Sequence, residues 1–444
     1  MRIIIAGAGA VGTHLAKMLS NEDQDIILLD SDQDALDVID SNYNLMTRNG
    51  SSSSINALHE IGIGNTDLFI SVTPYETKNI TSCAIAKRMG AKKTVARIDN
   101  SEFIDPANKK LLSDIGVDYL IYPEHLAAHE IAVALEHNWA RYWGELHDGR
   151  LLIIGVKLRD NSLIANCKLR DLPVTHHNFH VVAIKRNHET VIPSGNDMIL
   201  PDDIVYFITT APYVDEVRSL CGKVKRNIKS LVIVGGSRIC IRFAKIYHDE
   251  YDIKIIDYDR EKCETLATLL PDCEIIFGDG RDIEVLRDAS VFKYDAFLAL
   301  TGSAEVNILS CLTAKEFDVP KTIAEVENVQ FVGQAEKLNI GTIINKKFLA
   351  SSRIFQILLD ADEHNSKCLA IADAEVADIL VRDGAKITRS AVKHLHLPYG
   401  MTIGAMTRDG VCRLVDGDTV IQPGDYVAVF CLSGSLGKIE KWFN

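Results

Sequence analysis

No apolar run in the 444-residue chain reaches the roughly 18 residues that a helix needs to cross a bilayer, and the chain opens on a strand-like run instead of a charged leader. A cytoplasmic protein is therefore expected. The ten cysteines include no CxxC pair, so neither a disulfide scaffold nor a zinc or iron–sulfur centre is expected, and the thiols read as mostly buried or inert. Also missing are a GxSxG elbow, an HExxH helix, a Walker lysine loop and any metal-spaced cluster, so catalytic and metal sites are both expected to be none. Basic charge is in deficit, 48 Lys and Arg against 61 Asp and Glu for a net −13, which argues against nucleic acid or an anionic membrane surface as a partner. What remains is an ordinary globular composition, 47% hydrophobic and 25% charged, in a chain long enough for three or four domains.

The chain is organised around its opening, Met1-Arg2-Ile3-Ile4-Ile5-Ala6-Gly7-Ala8-Gly9-Ala10-Val11-Gly12. A short apolar run predicts a buried parallel strand, and Val11, Leu15 and Leu19 recur at helical spacing, so Gly7, Gly9 and Gly12 fall in a strand-to-helix turn. This is the dinucleotide-binding fingerprint: the first glycine allows a tight turn, the second lets backbone approach a pyrophosphate, and the third lets helix pack on strand. The positive end of the helix then faces the phosphates. Asp30, about 20 residues further on at the end of a second apolar run, is placed to accept the ribose hydroxyls. Ser31, Asp32 and Gln33 follow it with no arginine to receive a 2′-phosphate, which favours NAD or NADH over NADP; ATP and ADP present the same ribose and phosphates.

Strand and helix patterns then alternate, with helices at Ala35–Ile39, around Ile55, Leu58 and Ile61, and at Ala84–Met89. Strands are expected near Asn44–Met46 and at Asp67–Thr73, Thr94–Ile98 and Asp118–Tyr122. Such alternation predicts a doubly wound parallel sheet. Shifting the chain by 228 residues lays Ile5-Ala6-Gly7 on Ile233-Val234-Gly235, Thr73 on Thr301, Asn79 on Asn307 and Ala86-Lys87 on Ala314-Lys315. With small gaps Asp30 falls on Asp257 and Asn49-Gly50 on Asp279-Gly280, so the chain is a tandem duplication. In the second copy Ser237 and Cys240 stand where Gly9 and Gly12 stood, and a β-carbon at either place crowds phosphate or helix packing. That copy is either an altered nucleotide site, with Arg238 as a phosphate contact, or a structural copy.

Between and after the copies lie modules of a different texture. Runs at Leu151–Val156, Val181–Lys185 and Ile204–Ile208 predict a small sheet with one helix near Asn166–Leu172, and Ile379–Val381, Met401–Met406 and Tyr426–Phe430 repeat it. Pro423-Gly424-Asp425 sits as Pro201-Asp202-Asp203 does. The fold class is thus α/β, two Rossmann-like doubly wound domains each followed by a small α+β module. Expected boundaries are 1–123 for the first lobe, 124–148 for a connecting helix and 149–225 for the first module. The second unit follows with 228–346 for its lobe, 347–366 for its connecting helix and 367–444 for its module. The stripes Ala128, Ile131, Leu135, Asn138, Tyr142 and Ala350, Ile354, Ile357, Ala361 mark the connecting helices, read as packing between Rossmann-like units. His176, His177 and His180 read as a solvated loop, and His394 and His396 as alternating surface residues of a strand.

These features together resemble the regulator-of-potassium-conductance (RCK) domain: the Gly7 to Gly12 turn, Asp30, Asn49-Gly50, Val72-Thr73 and Val95-Ala96-Arg97-Ile98, then a small module, all duplicated. The doubled chain is similar to the cytosolic subunits of Trk-type potassium uptake systems. The resemblance implies a nucleotide-sensing gating subunit and not an enzyme, assembled as a homo-oligomeric ring, a tetramer of tandem chains, at the inner face of the membrane under a potassium channel or transporter. It implies that Gly7, Gly9, Ala10, Val11 and Gly12 cradle the phosphates of NAD, NADH, ATP or ADP and that Asp30 holds the ribose. Asn49 would lie near the adenine, with Thr73 and Arg97 on the phosphate side; Gly235, Arg238, Asp257, Asp279 and Thr301 would form a weaker second site. Asp30→Ala or Gly12→Val is expected to weaken nucleotide binding with the fold intact. The alternative is an NAD-dependent oxidoreductase.

Overall fold

The computed structural model describes residues 1–19, 24–40, 45–147, 149–172, 178–187, 189–361, 368–371, 374–398, 400–432 and 439–443. They group into two compact units. One comprises Met1–His129, Ser237–Phe243 and Ile344–Leu358, the other Glu130–Gly236, Ala244–Ile343 and Leu359–Asn444.

The first unit holds six parallel strands, β1 (Arg2–Ala6), β2 (Asp25–Asp30), β3 (Met46–Asn49), β4 (Leu68–Ser71), β5 (Lys93–Arg97) and β6 (Tyr119–Ile121), in the order β3-β2-β1-β4-β5-β6. In register, Ile4 sits beside Ile27 on one side and Phe69 on the other. Ile3, Ile4 and Ile5 are all fully buried, as a central strand covered by helices on both faces requires. The order reverses between β1 and β4, and in such sheets ligands bind outside the carboxyl ends of the strands at that point. Helix Ala10–Leu19 follows the glycine turn directly. The unit also takes in most of the helix Lys346–Ala361, whose Phe348 ring lies 4.6 Å from that of His14 in the first copy.

The second unit begins with the first module, an antiparallel sheet of β7 (Tyr142–Leu146), β8 (Leu151–Lys157), β9 (Phe179–Arg186), β10 (Glu189–Val191) and β11 (Ile204–Thr209), ordered β10-β9-β11-β8-β7. The second parallel sheet comprises β12 (Ser230–Val234), β13 (Asp252–Asp257), β14 (Glu274–Phe277), β15 (Ala296–Ala299), β16 (Lys321–Glu325) and β17 (Thr342–Ile344), and repeats the order of the first. The last module has β18 (Cys368–Ile371), β19 (Ala374–Leu380), β20 (Met401–Arg408), β21 (Val411–Leu414) and β22 (Tyr426–Leu432) in the order β18-β19-β22-β20-β21. That is the first module's order read from its other edge. The two module sheets share one core, in which Ile153, Val182 and Ile208 meet Val376, Ala405 and Phe430. Gly404 marks a close approach: a β-carbon there would lie 3.0 Å from both Ile208 and Val182.

Several expectations need correction. The first connecting helix is Pro123–Glu136; Asn138 turns back to donate to the Leu135 carbonyl and the chain leaves the helix, so Tyr142 and Trp143 lie on β7, an edge strand of the module. The Asn166–Leu172 helix is only a tight turn at Leu169–Asp171. Val392–His394 is likewise a turn, and His396 has φ +49°, so neither histidine is on a strand. His180 lies inside β9, not in a solvated loop; burial pushes its imidazole down to about 4. His176, His177 and Asn44 lie outside the described residues, as do 362–367 at the end of the second expected connecting helix.

Candidate functional site

At the carboxyl end of β1 the backbone turns through Gly7 at φ +117°, a conformation glycine adopts without strain. A β-carbon on Gly7 would come within 3.0 Å of the Thr73 nitrogen, and one on Gly12 within 1.9 Å of the Gly7 carbonyl oxygen. A β-carbon on Gly9 meets nothing within 4 Å, and Gly9 and Ala10 are exposed, so the middle of the turn is open. Helix Ala10–Leu19 begins there, and its first N–H groups have no intrahelical acceptors. Val11 and Gly12 are buried, Thr13 donates its hydroxyl to the Ala8 carbonyl at 2.9 Å, and the turn is fixed from behind.

Asp30 ends β2 facing this turn. Its Oδ2 accepts from the Ala8 N–H at 2.5 Å and its Oδ1 from the Asp32 N–H at 3.0 Å. A carboxylate has about four acceptor sites, so two remain for hydroxyl donors. Asn49 pairs with Asp30 across β2 and β3, is exposed, and donates to the Ser31 carbonyl at 3.3 Å, on the same edge.

Thr73 follows β4, where Asn79, buried in helix Glu76–Arg88, organises the strand ends. Its Oδ1 accepts from the Thr73 N–H at 3.0 Å and hydroxyl at 2.7 Å, and its Nδ2 donates to the carbonyls of Thr73 and Arg97, each at 2.9 Å. Asn79 aligns with Asn307 at the 228-residue offset, but the alignment alone gives it no role. Its recurrence beside a threonine in both copies was the signal. Arg97 closes β5, half-buried, and among the described residues no carboxylate pairs with its guanidinium.

The second copy reproduces the frame but not the openings. Asn307 makes the same four bonds, to the Thr301 N–H, hydroxyl and carbonyl and to the Glu325 carbonyl at 2.9, 2.7, 2.9 and 2.8 Å. Glu325 thus stands where Arg97 stood, reversing the charge. Gly235 turns at φ +95°, with Thr301 2.7 Å from where its β-carbon would be. Asp257 accepts from the Gly236 N–H at 2.7 Å, as Asp30 does from Ala8, but Lys262 Nζ also sits 2.8 Å from its Oδ2. Burial opposes the charged form of Asp257, but the Lys262 bond and the backbone donors outweigh it and hold the carboxyl below its ordinary range. Asp279 is engaged by Arg281 at 2.6 Å, and Arg238 is paired with Asp99 at 2.6 Å.

The chain's known likenesses cover both copies. A family model described as the TrkA-N domain matches residues 3–123 and 231–346, and one described as the TrkA-C domain matches 153–222 and 376–444. The Trk system potassium uptake protein TrkA of Haemophilus influenzae is 26% identical over 452 residues, covering 100% of this chain and 99% of that protein. The TrkA homolog of Archaeoglobus fulgidus is 29% identical over 450 residues, covering 100% of both. Among solved structures, the GsuK RCK domain superposes with a TM-score of 0.61 at 13% identity, covering 100% of this chain and 94% of that one. The GsuK channel bound to NAD gives 0.61 at 13%, covering 100% and 78%.

Proposed function

The chain belongs to the TrkA family of tandem TrkA-N and TrkA-C domains, and from that premise we propose that it is the nucleotide-sensing regulatory subunit of a potassium uptake system, gating a membrane channel or transporter. The supporting observation is the contrast between clefts. At the first, the turn is open and, among the described residues, Asp30 carries no cation and Arg97 meets no carboxylate, so a ribose and a pyrophosphate each meet an unspent group. At the second, Lys262 already lies on the carboxylate.

NAD or NADH is the favoured ligand, since no basic residue follows Asp30 to hold a 2′-phosphate, and the GsuK channel was solved with NAD. ATP and ADP compete on the same groups. The subunit acts as a ring of tandem chains, four in number, at the cytoplasmic face of the membrane through its partner. In this reading the coenzyme is sensed and not turned over, in keeping with relatives named as potassium uptake proteins.

Gating then follows from linkage. A nucleotide moves the gate only by binding one arrangement of the lobes more tightly, and a hundredfold preference supplies about 2.7 kcal/mol per site. Two measurements test the reading together. Calorimetry should give saturable NADH binding that Arg97→Gln weakens about tenfold or more, the loss of one charge-assisted phosphate contact. Potassium flux through the reconstituted partner should respond to NADH with the wild-type chain and not with that variant. Steady loss of NADH absorbance with carbonyl substrates would instead favour the oxidoreductase.

A further inference from the structure

A cavity of about 330 Å³ lies in the second unit between the first module and the amino-terminal edge of the second parallel sheet. That edge is opposite the carboxyl ends where the glycine turns lie, so the cavity is separate from both nucleotide clefts. Among the described residues, three arginines and four lysines line it, and no aspartate or glutamate does. Such a wall is unexpected in a chain of net charge −13.

Among the described residues, the innermost cations are held by neutral acceptors. Lys321, 8% exposed at the start of β16, donates to the Thr342 hydroxyl at 3.0 Å and the Asn138 carbonyl at 3.4 Å. Arg141 donates to the Gly341 carbonyl and, at 2.6 Å, to Asn339 Oδ1; Lys315 donates to the Asn339 carbonyl. Lys223 and the exposed Arg159 form the rim. Two carboxylates lie nearby but outside the wall: Glu336, which acts on Arg141, is bound to Lys185 at 3.0 Å, and the well-exposed Asp202 pairs with Lys157 at 3.3 Å. Burial, and after it repulsion from neighbouring cations, lowers the proton affinity of Arg141, Lys223, Lys315 and Lys321, the last pushed down to about 7 by desolvation and then by Arg141.

The first copy shows what this edge looks like when it is merely structural. There Lys87, the counterpart of Lys315, pairs with Asp118 at 2.8 Å, and the same carboxylate accepts from the Thr94 N–H at 2.8 Å. In the second copy Gly341 takes the place before the last strand, at φ +116° and with a hypothetical β-carbon 2.1 Å from the Thr322 carbonyl, so no side chain can return there. The guanidinium of Arg141 binds its carbonyl instead. An acid has been exchanged for a glycine at a matched position, and a guanidinium from the preceding segment occupies the space, leaving a concave wall of one sign.

We propose that this cavity binds a compact polyphosphate anion, two or three linked phosphates either free or as the tail of a nucleotide. Its volume is at the small end of ligand sites, and fixed guanidinium and ammonium donors suit phosphate oxygens.

The test is calorimetry on the full-length chain saturated with NADH, titrated with inorganic diphosphate, inorganic triphosphate and ATP. Saturable binding is expected, weakened about tenfold or more by Arg159→Gln and by Lys223→Gln, with NADH affinity and melting temperature unchanged. Equal affinity for triphosphate and ATP would identify the free anion as the ligand, and tighter ATP binding the nucleotide. The proposal is overturned if none of the three anions saturates at millimolar concentration, if neither variant weakens binding, or if NADH competes for the same site. Failure here leaves the first cleft's NADH isotherm untouched, so the two readings fail separately.

Discussion

Gly12 admits no side chain, because a β-carbon there falls 1.9 Å from a backbone oxygen that cannot move without opening the turn. Gly12→Val therefore does more than the fingerprint implied. Even Gly12→Ala is expected to lower stability by about 1–3 kcal/mol, seen as a reduced urea midpoint, and to abolish NADH binding with it. Asp30→Ala is likewise not a pure binding variant, since it leaves the Ala8 N–H without its acceptor; Asp30→Asn keeps one and is the cleaner probe. The glycines and Asp30 were legible in the sequence because close approach and strand-end placement leave a fixed spacing. Lys262 on Asp257 was not, because a side chain reaching back to a strand end follows no short motif, and Asn79 behind Thr73 left only its recurrence at the same spacing in the second copy.

Each module repeats one element, a turn whose aspartate reaches an arginine on the neighbouring strand of the sheet. Asp203 accepts from Arg186 at 2.9 and 2.8 Å, and Asp425 from Arg408 at 2.7 and 2.7 Å. The matched Pro-Asp-Asp and Pro-Gly-Asp triplets are explained by the positive φ at their middle residues, +67° at Asp202 and +89° at Gly424. Asp425 is 1% exposed; burial works against its charge, but Arg408 and the Gln422 N–H outweigh it and hold the carboxyl below its ordinary range. A depressed folded pKa means that this contribution is complete above about pH 4 and is lost as pH falls below it. Asp425→Ala is expected to destabilise the chain by about 3 kcal/mol at pH 7, and its deficit relative to wild type should shrink as unfolding is followed below pH 4. Strand positions in these modules were readable from alternating runs bounded by turns. Where a connecting helix ended was not, because Tyr142 continues the helical spacing of Ala128, Ile131 and Leu135 by coincidence after Asn138 has closed the helix.

For the whole molecule, duplication of the frame without duplication of the openings predicts a stoichiometry. Native mass spectrometry should find one NADH per chain, and Asp30→Asn, not Asp257→Asn, should reduce that number. The repeat itself was visible as a constant offset, whereas the cationic cavity was not, because its wall joins segments that are far apart in sequence and individually look like solvated charge. The shared core of the two module sheets has a further consequence. Two surfaces tethered in one polypeptide meet at an effective concentration fixed by the chain joining them, so their union is insensitive to dilution and to how much protein a cell makes. A mutation at Gly404 would therefore loosen an internal joint without dissociating anything, and would register as altered hydrogen exchange in these strands while the mass of the particle stayed the same.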